Sequence, residues 1–135
     1  MTEMAEGNIA IESEGDIVAV RRVAREAATK VGFGMTDVTR IVTASSELAR
    51  NIYHYAGSGA MRWKIIGSGV KSGVEFVFED QGPGIPNVEL AMQEGYTTGG
   101  GMGLGLPGTK RLVDEMEIQS SPGKGTTVTI RKWKR

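Results

Sequence analysis

Residues 99–108 of this chain read Gly-Gly-Gly-Met-Gly-Leu-Gly-Leu-Pro-Gly, six glycines in ten positions. Such a run is useless as core, because glycine brings no apolar side chain and loses much backbone entropy on ordering. It lets backbone N–H groups come close to a ligand. Pro107 suits the first turn of a helix, and Leu112, Val113 and Met116 follow at helical spacing. A helix N-terminus carries unpaired N–H groups and partial positive charge, so the run is a candidate anion or phosphate cradle.

The 135 residues fit one domain, 1–135, with a core of its own. Twenty glycines are about twice the usual share. Sixteen basic residues balance sixteen acidic ones, which gives no reason to expect nucleic acid or an anionic membrane as partner. The lack of cysteine excludes disulfides and thiolate metal sites, and the single histidine disfavours multi-histidine zinc chemistry. The acidic N-terminus has no signal-peptide pattern and no apolar run is long enough to span a bilayer, so a cytoplasmic location is expected.

Alternation over Asn8–Ser13 predicts a short strand. Asp16 is a fair cap for a helix that buries Ile17, Val20, Ala24, Ala27, Ala28 and Val31 and ends at Gly32. Thr36 or Asp37 caps a second helix reaching about Ala56, with Val38, Ile41, Val42, Ser45, Leu48, Ala49 and Ile52 on one stripe. Strands are expected at Met61–Ile66 and Val74–Asp80 around a hairpin loop at 67–73, then one or two helical turns over Asn87–Glu94 and a mobile Tyr96–Gly101. A third helix over Gly103–Met116 precedes strands at Ile118–Ser120 and Thr126–Trp133. The order β-α-α-β-β-α-β-β implies an α+β fold, a two-layer α/β sandwich whose mostly antiparallel or mixed sheet has helices on one face.

Three familiar phosphate motifs fail. Gly103–Gly108 matches G-x-G-x-x-G, but no strand precedes it and no acidic residue follows Glu117. Thr109-Lys110 reverses the order a P-loop requires, and there is no H-R-D or D-F-G. What remains is a combination: Glu47-Leu-Ala-Arg-Asn51 on the second helix, Asp80-Gln-Gly82-Pro-Gly84 after a strand, Gly101–Leu106 before the third helix, and Gly123-Lys-Gly125-Thr126 near the end. In order and spacing these resemble the four nucleotide-binding boxes of the Bergerat-fold ATPases, which include gyrase B, the histidine kinases and MutL. Within that superfamily, Ser46–Tyr53, Glu79–Pro86 and Gly103–Leu112 resemble the RsbT-type switch kinases, over nearly the full length.

The resemblance implies a protein-serine/threonine kinase that uses ATP and Mg²⁺. Its substrates would be STAS-domain partners, and the released kinase would activate a PP2C-type phosphatase. Glu47 and Asn51 lie four apart on one helix face; alone they would read as a solvated polar face. The resemblance makes Glu47 the general base and Asn51 the Mg²⁺ ligand. Asp80 becomes the adenine reader, accepting a proton of the 6-amino group where guanine carries an oxo acceptor, with Gly82 and Gly84 leaving room for the base. Thr126 supports the adenine edge, although Thr127 competes for that role. Thr97, Thr98, Gly101, Gly103, Gly105 and Leu106 belong to the lid and its hinge. His54 reads as a surface residue, and Lys110 and Arg111 as either phosphate contacts or solvated charges. Trp63, Phe76, Phe78 and Met102 read as packing residues. An anti-sigma factor kinase of the RsbW kind and a non-catalytic, nucleotide-gated interaction module are the competing readings.

Overall fold

A computed structural model describes residues 6–68, 70–84, 92 and 105–134. Strands β1 (Glu6–Ile11), β2 (Gly59–Ser68), β3 (Lys71–Asp80), β4 (Glu115–Ser120) and β5 (Thr126–Lys134) form one sheet in the order β1-β2-β3-β5-β4, with every neighbouring pair antiparallel. Helices α1 (Glu14–Val31) and α2 (Met35–Asn51) pack on each other and on one face of the sheet. A π-helical turn, Ile52–Ala56, extends α2, and a short helix α3 (Gly105–Lys110) packs against it. The expected two-layer α+β sandwich is therefore present, with a wholly antiparallel sheet among the described residues.

Period-two side-chain alternation sorts the strands into two faces. On the inner face, Ile9, Met61, Phe78, Val128 and Ile118 lie side by side across the five strands, and Gly7, Trp63, Phe76, Ile130 and Met116 form the next row. Ile17, Val20, Ala24, Ala27 and Ala28 of α1, with Val38, Ile41, Val42, Leu48 and Ala49 of α2, close the core over them. Small residues on α1 let the two helices approach closely. On the outer face, Glu6, Lys64, Glu75, Arg131 and Glu115 alternate in sign across the sheet.

The structure corrects several boundaries. Ser13, not Asp16, caps α1: its hydroxyl accepts the Asp16 N–H at 3.3 Å, while the Asp16 carboxylate accepts the Glu12 N–H at 2.9 Å. Gly34 caps α2 without a side-chain bond, and Asp37 sits in its first turn. The expected 67–73 loop contracts as β2 and β3 run on to Ser68 and Lys71. Gly73 is needed inside β3 because a Cβ there would strike the Lys132 carbonyl and meet the Trp133 ring at 3.0 Å. The third helix is much shorter than Gly103–Met116. The chain leaves it after Lys110 because Asp114 N–H donates to the Arg131 carbonyl at 3.0 Å and the Asp114 carboxylate accepts the Trp133 N–H at 2.8 Å. Those bonds start the β4–β5 ladder, and the alternating burial of Glu115–Ser120 outweighs the helical spacing of Leu112 and Met116.

Candidate active site

The sheet's inner face ends in a polar row. Ile11, Gly59, Asp80, Thr126 and Ser120 are successive cross-strand partners. Asp80 is the last residue of β3, and its Oδ1 accepts the Gly82 N–H at 2.8 Å, so the following loop turns back beside it. Thr126 stands directly opposite Asp80, while Thr127 pairs with Glu79 on the outer face. Alternation thus puts Thr126, not its neighbour, on the side of Asp80. The Thr126 hydroxyl is 2.9 Å from that of Ser120, which also lies 2.9 Å from the Gly125 carbonyl.

Glycines allow the loops to close around this row. A Cβ at Gly82 would sit 2.6 Å from the Ala56 Cβ of the π turn. Gly84 and Gly125 both have positive φ, 78° and 79°, and a Cβ would strike the Ser121 and Asp80 carbonyls respectively. Gly123 N–H donates to the Pro83 carbonyl at 2.7 Å, tying the 81–84 loop to the 121–125 loop.

Helix α2 brings the second set of groups. Its last turn carries Glu47 and Asn51. The chain then widens into the π turn, closed by Gly57 N–H to the Ile52 carbonyl at 3.0 Å. Such turns recur at functional sites because the added residue re-aims the side chains after it. Here the turn seats Ala56 against Gly82 and Ile52 against Gly59. The end of α2 and the Asp80 loop are therefore packed together.

Glu47 and Ser45 each bury a side-chain oxygen without a partner among the described residues, and Glu47 is the one that carries a carboxylate. Its side chain is 13% exposed, Oε2 accepts from Arg50 Nη1 at 3.0 Å, and Oε1 is buried with no hydrogen-bond partner among the described residues. A buried acceptor without a donor is costly, which marks Oε1 as a group awaiting one.

Gly105 and Leu106 begin α3, where Gly105 has φ 69° and its carbonyl accepts the buried Thr109 hydroxyl at 2.9 Å. The lid residues Thr97, Thr98, Gly101 and Gly103, the expected turn at Asn87–Glu94, and Met102 lie outside the described residues. His54 is exposed beside Tyr55, as a surface residue should be, and Lys110 and Arg111 are exposed too. Phe76 and Phe78 are core, and Trp63 packs against it. Two contributors escaped the sequence reading. Arg50 sits inside the quoted Glu47–Asn51 segment at i+3 from Glu47, which was the available signal. Ser120 is placed only by the β4–β5 register, for which the sequence has no local mark.

Residues 36–135 match the model of the histidine kinase-, DNA gyrase B- and HSP90-like ATPases. The chain belongs to that family. It is 48% identical over 127 residues to the serine/threonine-protein kinase RsbT of Bacillus subtilis (strain 168), covering 94% of this chain and 96% of the relative. An anti-sigma F factor of Thermoanaerobacter sp. (strain X514) is 33% identical, covering 98% and 94%. The fold also matches a crystal structure of the RsbU and RsbW domains of a Mycobacterium tuberculosis protein, with TM-score 0.64 and 19% identity over 98% of this chain. That match spans 34% of the larger protein. The expected RsbT-type resemblance and the assignment to ATP-dependent serine/threonine-protein kinases stand.

Proposed function

We infer that this kinase domain transfers the γ-phosphoryl group of ATP to a serine or threonine hydroxyl of a STAS-domain partner. The released protein then binds and activates a PP2C-type phosphatase. The carrying observation is the buried Oε1 of Glu47, without a partner among the described residues, near the end of α2 that packs on the Asp80 loop. An acceptor there suits general-base work on a hydroxyl: the oxygen attacks the γ-phosphorus, its proton passes to the Glu47 carboxylate, and the bond to the β-phosphate oxygen breaks to release ADP.

The remaining residues divide binding from chemistry. Asp80, with Oδ1 engaged by Gly82, presents its carboxylate to the adenine amino group, and this favours ATP over GTP. Thr126, oriented by Ser120, borders the same edge. Gly82 and Gly84 let the 81–84 loop close against Ala56 and Ser121 beside Asp80. Gly105 and Leu106 form the hinge of a lid in which Thr97, Thr98, Gly101 and Gly103 meet the phosphates.

A hard oxygen donor such as a side-chain amide at the end of α2 fits Mg²⁺. Asn51 supplies an amide oxygen, and the ion, when bound, neutralises phosphate charge. Among the described residues no helix is long and apolar enough to cross a membrane. We place the kinase in the cytoplasm, where ATP is supplied.

The RsbT relative supports the switch-kinase reading over the anti-sigma reading, since 48% identity exceeds 33% at similar coverage. The test mixes the protein, labelled ATP and a cognate STAS protein. Label transfer that Glu47→Ala abolishes is expected. No transfer, or transfer undiminished by Glu47→Ala, overturns the catalytic assignment, and co-purification with a sigma factor would favour the anti-sigma reading.

A further inference from the structure

We propose that Arg50 is a positioning residue for the phosphoryl-transfer step, fixing the Glu47 carboxylate so that Oε1 alone faces the acceptor hydroxyl. The proposal rests on the reading of Glu47 as the base. Its basis is an asymmetry between the two oxygens of one carboxylate. Oε2 is held by Arg50 Nη1 at 3.0 Å, while Oε1 is buried and has no partner among the described residues.

Most ion pairs at this helical spacing are worth little. Asp37 and Arg40, earlier on α2, are such a pair, at 3.2 Å with both side chains exposed. Arg50–Glu47 differs in each respect. It is shorter, its carboxylate is largely withdrawn from water, and the free oxygen does not reach solvent. An untethered glutamate spreads over several rotamers and freely exchanges its two oxygens. A tether on one oxygen removes that exchange before substrate arrives.

The guanidinium suits the task because it is always charged, presents donors in a planar fork and cannot take the proton the base must receive. Lysine would keep the charge but reach Oε2 through a flexible, rotating ammonium. Alanine would leave both oxygens to find partners from the backbone or water. Since the tether touches only the base, its loss should fall on turnover and leave nucleotide affinity intact.

The experiment measures kcat and KM for ATP in transfer to a cognate STAS protein, with mant-ATP binding and urea unfolding for each variant. The variants are Arg50→Ala, Arg50→Lys, Glu47→Gln and the Glu47→Gln/Arg50→Ala double. The expected result is about a tenfold fall in kcat for Arg50→Ala, with KM, mant-ATP affinity and urea midpoint held within twofold. Arg50→Lys should recover part of the loss. The double variant should be no slower than Glu47→Gln, because the two residues act as one unit. Full kcat in Arg50→Ala beside a dead Glu47→Gln overturns the positioning role while leaving the base assignment standing. An active Glu47→Gln removes the base assignment itself. Parallel loss of turnover and mant-ATP binding in Arg50→Ala makes Arg50 a structural residue and overturns the proposal.

Discussion

One sheet carries two kinds of polar chemistry on its two faces. On the outer face Arg131 meets Glu75 at 2.7 Å, Glu115 at 3.0 Å and Glu117 at 3.1 Å, and Glu115 also accepts the Trp133 indole N–H at 3.0 Å. Hydrogen bonds to Glu75 first, then Glu117 and Glu115, push the guanidinium pKa further above its already high ordinary value. The Trp133 and Arg131 bonds, in that order, hold the Glu115 carboxyl below the usual glutamate range. These charges are already answered within the sheet. At the inner end, by contrast, Asp80 accepts a backbone N–H of its own loop, and Glu47 keeps a buried oxygen with no partner among the described residues. Paired charges hold strands in register; a buried acceptor without a donor invites a ligand.

Substitutions on the two faces should therefore separate activity from stability. The largest effect is expected at Glu47→Gln, which keeps shape and removes the base: turnover should fall by about 10²–10⁴-fold with the urea midpoint little changed. Asp80→Asn comes next. Replacing an acceptor by an amide donor opposite the adenine amino group should weaken mant-ATP binding by about 10–100-fold, and the preference for ATP over GTP should shrink.

Arg131→Ala tests the other face. It removes the 2.7 Å partner of the mostly buried Glu75, leaving Lys64 at 3.7 Å, and should cost about 1–2 kcal/mol in urea unfolding while kcat stays at the wild-type value. A large kcat loss there would erase the division between faces. The smallest effect is a pH dependence. Because the folded state favours ionised Glu115, its stabilisation is present above the unfolded-state pKa and disappears as pH falls through the lower folded-state pKa. Glu115→Gln should be slightly less stable at neutral pH and lose less on acidification, as acid-induced unfolding monitored by Trp fluorescence would show.

Legibility varied with the range of the interactions involved. The stripes of α1 and α2 were plain because one face of each helix carries the core, and Ile17, Val20, Ile41 and Leu48 are all buried. Strand ends are less legible, since Gly67 and Gly73 resemble loop residues, and only the β3–β5 pairing puts the Lys132 carbonyl and the Trp133 ring against Gly73. The third helix was overextended because Leu112, Val113 and Met116 satisfy a helical period, whereas the bonds from Asp114 to β5 are long-range. The π turn carried no periodic signal, as one wider turn leaves the apolar stripe through Ile52 intact.

The sequence by itself determined the family and the identity of its motif residues, because backbone turns and buried stripes need particular residue types at short spacings. Glycines at 82, 84 and 125, a carboxylate at 80, and a glutamate and asparagine four apart can all be read from residue type and spacing. Only the tertiary structure decided which threonine faces Asp80, that Ser120 touches it, and that Arg50 holds one oxygen of Glu47 while the other has no partner among the described residues. Those outcomes depend on strand register and rotamer choice. Both are set by packing between residues distant in the chain, and a single-residue slip in register would turn Thr126 to the opposite face.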